Sequence, residues 1–98
     1  MKTFQEHAED QLYLAPNRII SKKEISNWRS YVKQLKENCL LFLKAQEYET
    51  AYKSLEILLD ILDRGSMKYY IFLSDRAIDT SKTDPKIWCN HLFQAYLQ

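Results

Sequence analysis

A chain of 98 residues is long enough for one domain with a modest core. Its 46% hydrophobic and 28% charged content excludes disorder, and a formal net charge of +1 gives no global pull toward nucleic acid or acidic lipid. A single glycine, Gly65, and two prolines, Pro16 and Pro85, exclude the Gly-rich phosphate loops and strained catalytic turns on which many enzymes depend.

Between these punctuation marks the apolar residues recur every three or four positions, which predicts helices. The first spans about 2–14, with Phe4, Ala8, Gln11 and Leu12 on one face. It closes before Ala15-Pro16, because a residue preceding proline is pushed out of the helical region. The second spans about 22–45. Ser21 and Glu24 form a capping box at its start, and Ile25, Trp28, Val32, Leu35, Cys39 and Phe42 form a seam of about five turns. Gln46-Glu47 makes a tight connection without glycine.

The third helix spans about 48–63, with Ala51, Leu55, Leu58 and Leu62 inward. Tyr48, Tyr52 and Leu59 widen that stripe and Ile57 and Ile61 flank it, a breadth that implies burial against more than one neighbour. Gly65 is placed to take the left-handed conformation that ends a helix. The fourth spans about 67–80. Its run Tyr69 to Leu73 resembles a strand, but Ala77 and Ile78 continue the helical period. The fifth spans about 85–97, with Asp84 as cap, Pro85 at the first position and Trp88, Leu92, Ala95 and Tyr96 inward.

The helix starts near Tyr48, Met67 and Lys86 are evenly spaced. Glu47-Tyr48-Glu49-Thr50-Ala51, and Gly65-Ser66-Met67 followed by Arg76-Ala77-Ile78, each place a turn before an aromatic or apolar helix. Asp84-Pro85-Lys86-Ile87-Trp88 reads as a junction opening on tryptophan. Over residues 41–96 this pattern resembles the tetratricopeptide repeat, and Trp28-Arg29-Ser30-Tyr31 resembles the opening of the half-a-tetratricopeptide family. Tyr70 stands where the repeat's alanine is expected, and the interval is shorter than the roughly 34 residues of a full repeat. The resemblance implies protein binding on a helical face.

Several constellations bear on function. From Asn17 to Lys44 seven basic residues face two acids, Glu24 and Glu37. Arg18, Lys22, Arg29, Lys33 and Lys36 would form the surface of a nucleic-acid or acidic-partner site. The plainer reading is a solvated face complementing the acidic third helix. His7 beside Glu6 and Asp10 lacks the several ligands of a metal site. Cys89 and His91 point about 200° apart on a helix and cannot act as a pair. Tyr31, Tyr69, Phe72 and Phe93 fall off the main stripes, which marks them as candidate partner-binding residues, with Phe93 as neighbour to Tyr69 and Phe72.

The first fifteen residues carry Glu6, Glu9 and Asp10 in place of a signal peptide's basic start, and apolar runs such as Leu40–Leu43 are far shorter than the about 20 residues a bilayer span needs. A soluble, cytoplasmic protein with reduced Cys39 and Cys89 is expected. The expected fold is all-α: one domain, 1–98, of four to five antiparallel helices, as an up-down bundle or short tetratricopeptide-like solenoid. The expected function is a non-enzymatic adaptor, chaperone or regulatory subunit. It would need no cofactor, metal or small-molecule substrate, and would bind a partner helix or peptide, or a second copy, through an apolar-aromatic face. The alternatives are a nucleic-acid-associated regulator using the basic face and an immunity or antitoxin-like inhibitor.

Overall fold

The computed structural model describes residues 21–97. The predicted helix over 2–14, Arg18, and the His7 cluster lie outside the described residues. Those residues form an all-α bundle of four helices: α1 (Lys22–Lys44), α2 (Tyr48–Arg64), α3 (Lys68–Asp75) and α4 (Pro85–Tyr96). Helix α1 packs chiefly on α2, and α4 packs on both α2 and α3. The three-residue turn between α1 and α2 makes them antiparallel neighbours.

The start signals operate as the chemistry requires. The Ser21 side chain accepts a hydrogen bond from the Glu24 amide at 3.2 Å, and the Asp84 carboxylate accepts one from the Lys86 amide at 2.9 Å. Gly65 takes φ 63° and ends α2.

Two other helices end on the same left-handed device without glycine. In α1 the Glu47 amide donates to the Phe42 carbonyl and the Gln46 amide to Leu43; in α3 the Ile78 amide donates to Leu73 and the Ala77 amide to Ser74. These are paired Schellman closures, with Gln46 (φ 61°) and Ala77 (φ 55°) in the left-handed region. Ala77 therefore terminates α3 near Asp75, and the helix does not run to residue 80. The helices start at Tyr48, Lys68 and Pro85, within a residue of the expected starts. A left-handed non-glycine residue costs about 1–2 kcal/mol. Gln46→Gly is therefore expected to raise stability by about 1 kcal/mol, read as a higher denaturation midpoint with an unchanged slope.

The core contains Ile25, Trp28, Val32, Leu35, Cys39 and Phe42 of α1, the seam expected from the spacing. Tyr31 is buried as well. Its ring lies 5.5 Å from Trp88 and 6.0 Å from Tyr70, because α1 meets α3 and α4 on the flank beyond its contact with α2. Helix α2 is rotated from expectation: Ala51, Ser54, Ile57, Leu58 and Ile61 face inward. Small Ser54 brings α2 close to α4, with its hydroxyl 3.7 Å from the Cys89 thiol. In α4, Trp88, Cys89, Leu92 and Phe93 are buried, while Ala95 and Tyr96 are exposed.

Candidate interaction face

Rotation of α2 leaves a second apolar stripe outside the core. Tyr48, Tyr52, Leu55, Leu59 and Leu62 follow 4-3-4-3 spacing, so they form one ridge along the helix. All five are exposed, Tyr52 at 60% and Leu59 at 55%. The acids of this helix occupy a third arc, with Glu49, Glu56 and Asp63 exposed. More than half of the α2 circumference is apolar, and the described bundle covers only part of it.

Helix α1 continues the same face. Lys22, Arg29, Lys33, Lys36, Leu40 and Leu43 succeed one another at intervals of 7, 4, 3, 4 and 3, and all are exposed. Antiparallel packing sets Leu40 and Leu43 toward the Tyr48 end of the ridge and Arg29 toward the Leu62 end. There Arg29, Val32, Lys33, Lys36, Leu58 and Leu62 line a groove of about 320 Å³ together with Trp28. The face is thus aromatic and leucine-rich at one end and apolar with a basic rim at the other. Its α1 border is cationic and its α2 border anionic.

The predicted basic residues divide accordingly. Lys22, Arg29, Lys33 and Lys36 share one side of α1, but Leu40 and Leu43 extend that side, so it is not a purely cationic strip.

The predicted aromatic surface is corrected. Tyr31, Tyr69 and Phe93 are buried and Phe72 is half-buried. Each lies off its helix's main stripe, yet every helix has neighbours on more than one side, so the off-stripe positions are core. Phe93 does not join Tyr69 and Phe72: it lies under the Lys53 ammonium, 5.6 Å from its ring centre. Tyr96 takes that place, edge-on to Tyr69 at 5.1 Å and to Phe72 at 5.2 Å. The Arg76 guanidinium stacks on Phe72 at 3.7 Å and Lys68 lies 4.8 Å from the Tyr69 ring.

Beside this cluster Asp60 is a polar hub. Its carboxylate accepts the Tyr69 hydroxyl at 2.7 Å and pairs with Arg64 at 3.0 Å and Lys68 at 3.3 Å. Partial burial works against its charge, but the Tyr69 hydrogen bond and the Lys68 and Arg64 cations outweigh it and hold the acid below its ordinary 3.8. The Cys89 thiol is pushed up to about 12 by burial, which keeps it protonated, and His91 is exposed.

An open hollow of about 730 Å³ lies between α1 and the segment after α3, bordered by Gln34, Glu37, Ser74 and Asp79 and by the apolar Tyr70 and Ile78. Its groups serve local structure: the Gln34 amide donates to the Thr80 carbonyl at 2.8 Å and Asp79 accepts from the Ser81 amide at 2.9 Å. Among the described residues no group of three or more histidine, cysteine or carboxylate side chains is placed to hold a metal ion, and no helix is long and apolar enough to cross a membrane.

The ridge was detectable in the sequence as a mismatch. Helix α2 carries more apolar residues than one neighbour can cover, and sequence pattern alone does not say which of two adjacent stripes turns inward. Comparison with protein-family models, with curated proteins and with solved structures finds no match for this chain.

Proposed function

We propose that this protein is a non-enzymatic interaction module that receives an amphipathic helix of a protein partner on the α1–α2 face. The observation that carries the reading is the exposed ridge Tyr48, Tyr52, Leu55, Leu59 and Leu62, continued by Leu40 and Leu43. An aligned apolar stripe of this kind is atypical of a solvated surface and typical of an interface. Burying one such leucine contributes about 1.5–3 kcal/mol. The cationic α1 border and anionic α2 border favour a partner helix with acids on one flank and bases on the other, in one orientation. The tetratricopeptide resemblance points the same way, toward binding on a helical face. An inhibitor of the immunity type would use the same surface.

The test starts from a protein captured by the intact chain, identified, purified and titrated back. Leu59→Glu is expected to abolish that binding while leaving the far-UV circular dichroism unchanged, since Leu59 is exposed. Undiminished binding by the variant would sink the reading. Binding to DNA or RNA that collapses with added salt, and that Lys33→Glu with Lys36→Glu removes, would transfer the function to the basic residues.

A further inference from the structure

We propose that the partner received on the α1–α2 face is a second copy of this chain, docked about a two-fold axis that runs along the helices and sets α1 of each copy over the α2 ridge of the other. The proposal rests on the reading of this face as a helix-binding surface and names what binds there.

The exposed area is that of a dimer interface. The α2 ridge from Tyr48 to Leu62, with Leu40 and Leu43 of α1, consists of side chains between 39% and 62% exposed. At roughly 100 Å² for each half-exposed leucine or tyrosine, the seven come to roughly 700 Å², close to the about 800 Å² per partner of a standard interface.

Charge selects the occupant and its orientation. Lys33 and Lys36 lie on the α1 side of the face, and Glu56 and Asp63 lie beyond the ridge on the α2 side. All four are exposed, and none forms an ion pair among the described residues. A closed dimer built on one shared patch needs a two-fold axis in the plane of the interface. An axis across the helices would stack α1 on α1 and α2 on α2, opposing lysine to lysine and carboxylate to carboxylate. An axis along the helices exchanges the two sides. The lysine edge of each copy then meets the acidic edge of the other, twice per dimer, and the face is its own complement.

The register agrees. A two-fold along the helices preserves height, so each α1 residue settles over the α2 residues that it stands beside in its own chain. Lys33 and Lys36 line the groove with Leu58 and Leu62, which sets both lysines level with residues 58–62. Glu56 and Asp63 bracket that stretch, each within about 3 Å of it along the axis, a gap that a lysine side chain spans. The same antiparallel count brings Leu40 over Tyr52 and Leu43 over Tyr48, apolar on apolar.

The test is the solution mass of the full chain by light scattering across the micromolar range. The expected value is twice the 11.8 kDa of one chain. A monomer mass throughout would overturn the proposal. Leu59→Glu is expected to halve the mass with unchanged far-UV circular dichroism; a dimer that persists would put the interface elsewhere and also refute it. Two charge variants test the pairing of the edges. Lys33→Glu with Lys36→Glu turns the lysine edge acidic, and Glu56→Lys with Asp63→Lys turns the acidic edge basic. Each alone is expected to be monomeric, and their equimolar mixture to recover the dimer mass. A variant that dimerises alone, or a mixture that stays monomeric, would count against the proposal decisively. Carbodiimide coupling of mixed isotopically heavy and unlabelled wild type tests the axis. Lys33 or Lys36 is expected to join Glu56 or Asp63 in peptides carrying both isotopes, and links of a single isotope only would overturn the assignment. The mass needs no captured protein, so the two readings fail separately. A monomeric wild type whose captured partner is lost in Leu59→Glu refutes the second copy alone, whereas mass and capture both unchanged by Leu59→Glu refute the face itself.

Discussion

Trp88→Ala is expected to destabilise the protein by about 3–5 kcal/mol, the range for emptying a fully buried tryptophan site. Trp88 is 0% exposed, lies edge-on to Tyr31 and sits where α4 meets the rest of the core. Trp28→Ala on α1 is expected to cost as much, since its side chain is also 0% exposed. For a domain of this size, a loss of that order lowers the melting temperature by roughly 15 °C or more. It also removes a large share of the about 5–15 kcal/mol that holds a typical domain folded. Thermal unfolding followed by circular dichroism reads the effect directly. A melting temperature unchanged in either variant would show that the indole is not packed as described. Trp88→Phe, which retains most of the volume, is expected to recover the greater part of the loss.

Asp60→Ala is expected to cost about 2–3 kcal/mol, because it removes a charge-assisted hydrogen bond and leaves the buried Tyr69 hydroxyl without its acceptor. The same contacts make stability depend on pH with a defined sign. The folded protein holds Asp60 below its ordinary 3.8, so its contribution is fully present above that value and is lost as pH falls through the folded-state value. Tyr69 acts at the other end. Burial and the Asp60 carboxylate raise its phenol above the ordinary 10.0, so its contribution is present below pH 10.0 and fades as pH rises beyond it. Denaturant titrations of the wild type are expected to fall off at both extremes. Asp60→Asn, which keeps a hydrogen-bond acceptor, is expected to flatten the acid limb. An acid limb identical to that of the wild type would refute the role given to Asp60.

The helices themselves were legible because their signals are local. Ser21 and Asp84 cap by bonding amides two or three residues away, Gly65 takes a conformation that glycine adopts without strain, and the α1 seam repeats over about five turns. Where the sequence misled, a local signal was overruled from outside. Ala77 continues the apolar period on paper, but the closure that joins Ile78 to the Leu73 carbonyl ends α3 before it.

The candidate face was legible only as an excess. Residues 48–62 of α2 hold two apolar stripes, and both satisfy the same helical spacing. Which one is core depends on where Ser54 allows α4 to approach and on where α1 packs along α2, facts that no window of sequence contains. The off-stripe aromatics went inward for the same reason: Tyr31 is buried because Trp88 and Tyr70, distant in sequence, close over it. The sequence by itself determined the all-α class, the helix starts and the α1 seam, since each follows from propensity, capping and period within a few turns. The tertiary structure decided which surfaces remain outside, because burial is set by helix rotation and by neighbours far along the chain. Those two factors turned Leu59 and Tyr52 outward and Tyr69 and Phe93 inward.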